Sequence, residues 1–374
     1  MISFKNVSKS FENKKILDNI NIDIEENTIT CLIGESGCGK TTLLKMINRL
    51  YEPTKGTITI NNENILKKDL IRLRRSIGYV IQHTGLFPHM TIQENIEIIL
   101  KLSKVPKEKI EKRTIELMEM IGLNSDFLNR YPSELSGGQQ QRVGIARAFA
   151  INPDIILMDE PFSALDPVTR TSLQDELLRI QSKYKKTIVF VTHDMDEAIK
   201  LADKIAIIDE GHLVQYDTPE RVLKHPTNDF VKNFVGIKKI WSSPELIKVE
   251  DIMIEHPVTC NKNYSLFYCI NKMRMMKVDT LMVVDENNLL IGILYADNLL
   301  NLSMQDKKAE DYMEREFLVT HPNDSIVDLV NLINEHKITT MPVTDKKGHL
   351  KGLITRSTLL TYMSKQFTKE EEGK

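Results

Sequence analysis

The chain has 374 residues and a net charge of -2, with 50 Lys and Arg set against 52 Asp and Glu. That length predicts two or three domains, and the balanced charge gives no global attraction for nucleic acid or another polyanion. Cys31, Cys38, Cys260 and Cys269 lack metal-ligand spacing, which reads as reduced thiols in a cytosol rather than a disulfide framework.

The opening Met1-Ile2-Ser3-Phe4-Lys5 alternates apolar residues and has no signal-peptide layout. Residues 1–235 read as one α/β domain. Ile29-Thr30-Cys31-Leu32-Ile33 is a short apolar run that predicts a buried strand. It feeds Gly34-Glu35-Ser36-Gly37-Cys38-Gly39-Lys40-Thr41-Thr42, which fits the phosphate-loop pattern G-x-x-x-x-G-K-[ST]. Helical spacing over 42–50 follows. Strand, glycine loop and helix form the context such a loop needs, because glycines let backbone N–H groups close on phosphates while the helix N-terminus adds positive potential. Lys40 is expected to reach the β- and γ-phosphates of a nucleoside triphosphate, and the Thr41 hydroxyl to ligate Mg²⁺.

Gln82 follows the apolar stretch Ile77-Gly78-Tyr79-Val80-Ile81, and the pattern then turns helical and charged, which predicts a helical subdomain over about 85–150. Ile155-Ile156-Leu157-Met158 and Thr187-Ile188-Val189-Phe190-Val191 are further buried-strand candidates, since continuous apolar runs suit a sheet covered on both faces. The first ends in Asp159-Glu160 and the second in Thr192-His193-Asp194. Taken alone, a lone histidine at a strand end is usually structural, and two adjacent acids there are as readily a solvated turn as a site. Residues 236–250, with Gly236, Trp241 and Pro244, read as a linker, with Trp241 packing between domains.

Leu135-Ser136-Gly137-Gly138-Gln139-Gln140-Gln141-Arg142 resembles the signature sequence of the ABC ATPases, a P-loop NTPase family that closes the phosphate loop of one subunit and the signature of the other on ATP. The resemblance implies a homodimer in which Ser136, Gly137, Gly138 and Gln139 contact ATP held by the partner. It implies that Asp159 supports the magnesium shell and that Glu160 is the general base. Gln82 then matches the Q-loop and touches Mg²⁺ or the water, His193 is the switch histidine at the γ-phosphate, and Asp166 in Ser163-Ala164-Leu165-Asp166 belongs to the D-loop. Phe11 stands where the family places an aromatic that stacks on adenine, with core packing as the alternative. Leu86-Phe87-Pro88-His89-Met90-Thr91 resembles the segment that importers use near the membrane subunit. Cys38 stands where serine is frequent. Either the loop tolerates it, or a thiol beside a helix N-terminus has a lowered pKa.

From 251 onward the chain repeats itself. Asp251-Ile252-Met253 recurs as Asp311-Tyr312-Met313, and Val258-Thr259 as Val319-Thr320. Met282-Val283-Val284-Asp285 with Gly292-Ile293-Leu294 recurs as Pro342-Val343-Thr344-Asp345 with Gly352-Leu353-Ile354. This resembles an α+β tandem pair of CBS domains, here 251–306 and 307–366, with 367–374 as a disordered acidic tail. Such pairs bind adenine nucleotides, and adenosine-binding members carry an Asp on the ribose at the positions held here by Asn298 and Thr358. That departure suits an effector whose 3′-oxygens are already esterified, such as cyclic di-AMP, with Thr259, Ile354, Thr355 and Arg356 as candidate contacts. A purely structural dimerisation pair is the other reading.

The ATPase–tandem CBS arrangement resembles importers of glycine betaine, carnitine and choline. It implies integral membrane permease subunits, an extracellular substrate-binding protein, and a peripheral position on the cytoplasmic face of a bacterial cell membrane. No apolar run reaches the ~18 residues of a spanning helix. Three alternatives stay open: an importer ATPase for an amino acid or polyamine whose CBS pair is structural or senses ionic strength; a soluble ABC ATPase of repair or translation; and a vestigial ATPase in which the C-terminal half is the main function. The single cassette, the absence of sustained heptads and the intact Lys40, Glu160 and His193 argue against the last two.

Overall fold

A computed structural model of the chain describes residues 2–12, 14–82, 85–163, 165–236, 244, 247–299 and 307–364. Trp241, most of the 236–250 stretch and the 367–374 tail lie outside the described residues. The chain divides into two units, 1–236 and 237–374.

The first unit holds two sheets. One is antiparallel, in the order β2 (Lys14–Ile24), β1 (Ile2–Phe11), β4 (Lys55–Ile60), β5 (Glu63–Asn64). The larger runs β10 (His212–Asp217), β9 (Lys204–Asp209), β3 (Ile29–Ile33), β8 (Thr187–Thr192), β7 (Ile155–Asp159), β6 (Ile77–Val80). Its neighbours are parallel except for the β10–β9 edge. The continuous apolar runs arise because alternate side chains of these strands enter different cores. Leu32, Leu157 and Val189 pack with the antiparallel sheet and with Leu43, Leu44 and Ile47 of α1 (Lys40–Ile47). Cys31, Ile156, Met158 and Phe190 pack with the helices on the other face.

The 85–150 stretch carries α3 (Ile92–Leu102), α4 (Lys107–Met120) and α5 (Gly137–Phe149), and α2 (Leu70–Arg75) precedes β6. Their starts are chemically specified. Thr91 with Glu94 and Ser136 with Gln139 form capping boxes on α3 and α5. Asp166 caps α6 (Pro167–Tyr184), where proline occupies the first turn, whose N–H groups lack intrahelical partners. Then follow α7 (Met195–Leu201), α8 (Pro219–Lys224) and α9 (Asp229–Val235). No helix among the described residues is long and apolar enough to cross a membrane.

In the second unit, β11 (Thr259–Asn261), α10 (Leu266–Met276), β12 (Thr280–Val284) and β13 (Leu290–Tyr295) answer to Thr320, α11 (Ile326–His336), β14 (Thr340–Thr344) and β15 (Leu350–Thr355), before α12 (Arg356–Ser364). The repeated sequence signatures mark an exchange of leading segments. Ile254, in the leading segment of the first repeat, bridges Leu353 of the second, and Glu314, in the leading segment of the second, bridges Ile293 of the first. Asp251 and Asp311 each cap the backbone three residues back, at Lys248 and Lys308. Met253 lies against Gly352 and Met313 against Gly292. A Cβ on Gly352 would sit 2.6 Å from the Met253 sulfur and 2.9 Å from the Ile254 carbonyl. Gly352→Val is therefore expected to destabilise this unit by about 1–3 kcal/mol, the cost of overpacking. Its thermal midpoint should fall while exposed Lys351→Val leaves it in place; an unchanged Gly352→Val midpoint would refute the close approach.

Candidate functional site

The C-terminal ends of the parallel strands converge on one site, as expected of an open α/β sheet. After β3 the chain enters the glycine loop. At Gly34 a Cβ would lie 2.0 Å from the Ile208 carbonyl, and at Gly39 (φ 107°) it would strike Leu17 at 2.6 Å. Both positions exclude side chains, and Gly39 also needs left-handed backbone. Lys40 is buried, and its ammonium donates to the carbonyls of Gly34 (2.9 Å) and Glu35 (2.7 Å). The Thr41 hydroxyl donates to Asp159 Oδ1 at 2.9 Å, and Lys45 stands 3.7 Å from Oδ2.

Glu160 follows β7 with φ 47°, left-handed backbone that turns its side chain off the strand. Its amide donates to the Val191 carbonyl of β8 at 3.1 Å. Gln82 Nε2 donates to Glu160 Oε2 at 3.0 Å, and His193 Nδ1 lies 3.8 Å from Oε1. The Glu160 carboxylate is thus set between Gln82 and His193, next to the Thr41–Asp159 pair. The paired Thr41 hydroxyl and Asp159 carboxylate, with the Gln82 carboxamide held on neighbouring Glu160, offer hard oxygen donors of the kind a phosphate-bound Mg²⁺ takes without an all-protein cage.

Two residues that sequence reasoning missed hold the histidine turn. The Thr192 hydroxyl donates to buried Glu197 at 2.6 Å and accepts from the Asp194 amide at 3.0 Å. Burial pushes the Glu197 carboxyl up, opposed by the Thr192 hydrogen bond. Arg170 donates to the Leu165 carbonyl at 3.0 Å and lies 3.9 Å from both Asp194 and Glu197, tying the D-loop to the histidine turn. Both read as ordinary helix residues in a sequence, because their partners come from other elements.

The remaining expected residues lie apart. Ser136 and Gly137 are exposed at the start of α5, and no hydrogen bond or ion pair among the described residues joins them to the cluster around Glu160. Ser136 Oγ caps the Gln139 amide at 3.3 Å, and Gln139 Oε1 accepts from the Ser136 amide at 2.9 Å. Gly138 is buried against Thr169. Asp166 lies beyond the D-loop turn as the cap of α6, and its hydrogen bonds to Thr169 lower its pKa. Phe11 is exposed rather than in a core, edge-on to Tyr51 with ring centroids 4.9 Å apart. Gly37, Glu35, Ser36 and Thr42 complete the glycine loop and the first turn of α1.

Of the two readings of Cys38, the structure opposes a lowered pKa and leaves simple tolerance by the loop. The side chain is buried, with its sulfur 3.8 Å from the Lys40 ammonium, and burial outweighs that cation and pushes the thiol up. A desolvated thiol does not gain the exposed electropositive setting of a reactive one.

In the second unit, Thr355 and Thr358 pair through their hydroxyls at 2.7 Å, above buried Ile354. Arg356 is exposed, and its Nε donates to the Ile338 carbonyl at 3.2 Å. Asn298 donates to Glu314 at 3.0 Å. Thr259 sits half-buried on β11, in the other repeat.

Comparison with known proteins gives the family. The ABC transporter family profile matches residues 17–163, and the CBS domain profile matches 249–305 and 309–365. The glycine betaine/carnitine/choline transport ATP-binding protein OpuCA of Bacillus subtilis is 46% identical over 378 residues, covering 100% of this chain and 99% of that protein. The choline transport ATP-binding protein OpuBA of the same organism is 43% identical over 100% of this chain and 98% of its own length. A solved dimeric ATP-binding cassette in a post-hydrolysis state, bound to ADP and Pi, is 36% identical with a TM-score of 0.54, over 59% of this chain and 99% of that one. The protein is an ABC-type ATPase and belongs to the ABC transporter ATP-binding proteins that carry a C-terminal pair of CBS domains.

Proposed function

We propose that this chain is the ATP-hydrolysing subunit of an importer for quaternary-amine osmoprotectants: glycine betaine, carnitine or choline. The observation that carries the ATPase chemistry is the Glu160 carboxylate set between Gln82 at 3.0 Å and His193 at 3.8 Å, beside the Thr41–Asp159 pair. In this reading Glu160 accepts the proton of the attacking water, and Gln82 holds the carboxylate in place. His193 donates toward the γ-phosphate, and Lys40 balances phosphate charge. Thr41, Asp159 and Gln82 would hold Mg²⁺, which supplies charge neutralisation when bound. Ser136, Gly137, Gly138 and Gln139 serve the site of a second copy, so hydrolysis needs a homodimer. Closure of the dimer moves permease subunits, which accept solute from an extracellular binding protein, and the chain works at the cytoplasmic face of the cell membrane.

The substrate class rests on near full-length relatedness to transport proteins named for these solutes. The test is uptake of radiolabelled glycine betaine, carnitine and choline by proteoliposomes holding this chain with its permease subunits. ATP-dependent uptake of at least one is expected; ATP hydrolysis with uptake of none would overturn the substrate class.

The CBS pair is the regulatory module in this reading, with cyclic di-AMP as effector. Neutral Asn298 and Thr358 replace a ribose-binding acid, and exposed Arg356 supplies a fixed cation for a phosphodiester. Titration of the full chain with cyclic di-AMP is expected to show binding that Arg356→Ala weakens by about 10–100-fold, the loss of one charged hydrogen bond. Equal affinity of both proteins would remove Arg356 from the contact, and no heat with either would remove the effector.

A further inference from the structure

The loop 85–91, just past Gln82, is fastened to two helices by side chains that no reading above uses. Asn95 on α3 is fully buried. Its Oδ1 accepts from the Phe87 amide at 2.7 Å, and its Nδ2 donates to the carbonyls of Phe87 (3.1 Å), Met90 (3.1 Å) and Thr91 (3.0 Å). One carboxamide thereby satisfies most of the inward backbone of a turn that has no ladder of its own, and a buried polar group so engaged is costly to replace. Arg147 fastens the start of the loop. Its Nη1 donates to the Gly85 carbonyl at 2.8 Å, and its guanidinium lies 6.0 Å from the Phe87 ring.

Arg147 projects from α5, the helix that Ser136 caps, and lies about three turns along it from that cap. What the loop presents outward is Phe87, Pro88 and His89, all exposed, with the Phe87 and His89 rings 6.0 Å apart.

We propose that Asn95 and Arg147 are positioning residues that make the 85–91 loop one rigid piece with α5. Displacement of Ser136 by the partner's ATP is delivered at Phe87 and His89, where a permease subunit sits in the reading given above, on which this proposal rests. Neither residue touches the nucleotide, so losing either leaves hydrolysis running and disconnects it from transport.

Two readouts test this. In the complete transporter in proteoliposomes, Asn95→Ala is expected to keep hydrolysis within about twofold while uptake of glycine betaine per ATP falls about tenfold, the upper scale of a coupling residue. A purely structural role would lower uptake and hydrolysis together and leave their ratio alone, which would overturn the proposal. The second readout needs no transported solute. In full-length chain with Glu160→Gln, ATP is expected to slow amide exchange over both 136–149 and 85–91. Adding Asn95→Ala should keep the first effect and abolish the second, and persistence of both would overturn the clamp. Should Asn95→Ala not fold, Arg147→Met, which keeps length and loses the donor, carries both readouts with the same expectations. A wild-type transporter that hydrolyses ATP without moving glycine betaine counts against the substrate class, and the exchange experiment then decides this proposal.

Discussion

Glu160→Gln is expected to bind ATP as the parent does and to turn it over roughly 10²–10⁴-fold more slowly, the range for removal of a positioned general base. The substitution is nearly isosteric, so the left-handed backbone at 160 and its amide bond to Val191 are kept. The carboxylate is what disappears. Gln82 Nε2 donates to Glu160 at 3.0 Å, and a carboxamide oxygen still accepts that bond. The site therefore keeps its shape and loses its proton acceptor. ATP should accumulate uncleaved in a closed dimer, seen as a doubled mass on a sizing column with ATP and as unhydrolysed nucleotide in the recovered protein. Brisk steady-state hydrolysis by this variant would remove Glu160 from the role of base.

Gly137→Asp is expected to leave folding intact and to lower hydrolysis by at least about 10²-fold, the scale for losing one preorganised group at a developing charge. The two signature glycines differ in what surrounds them. A Cβ on Gly138 would meet Thr169 at 2.2 Å, so that glycine serves packing against α6. A Cβ on Gly137 would meet nothing within 4 Å, so this chain's own fold makes no demand for glycine there. An acid in the first turn of α5 even suits the helix dipole. In the proposed dimer a phosphate brought by a second copy would meet the new carboxylate with like charge. Gly138→Ala should lose roughly 1–3 kcal/mol of stability from overpacking, read as a lowered thermal midpoint. A Gly137→Asp chain with full activity would show that nothing approaches that surface.

The nucleotide half was legible because its chemistry is local. Strand β3, the glycine loop and α1 are contiguous, and β7 and β8 read as strands because both their faces are covered. Asp159 ends β7, and Glu160 and His193 directly follow β7 and β8, but their roles were read from the resemblance to the ABC ATPases and not from the strand ends alone. The antiparallel β2–β1–β4–β5 sheet was not read beyond its opening alternation. Its register contains shifts at 4–7, 7–9 and 9–10 that break the period of two. The repeats gave the CBS pair, but not the exchange of their leading segments, since a repeat shows that two stretches fold alike and not which sheet each one joins. Asn95, Arg147, Arg170 and Glu197 escaped for the same reason. Each serves a turn outside its own helix, four to eight residues back for Asn95, Arg170 and Glu197 and 62 residues back for Arg147, and a polar residue in a helix has no sequence mark for that. At Cys38 burial, which sequence does not show, decides between the two readings: it raises the thiol and leaves simple tolerance by the loop.

The claim that one chain is half of an ATP machine is tested most directly by mixing two inactive chains. Lys40→Ala disables the phosphate loop, and Gly137→Asp disables the surface offered to the partner. Each alone builds two dead sites. A mixed dimer joins the intact phosphate loop of one chain to the intact signature of the other and so holds one complete site. Half of randomly paired dimers are mixed, so hydrolysis is expected to return to at most about a quarter of the wild-type rate. A mixture as inactive as its two components, from chains shown to pair, would contradict a site shared between subunits.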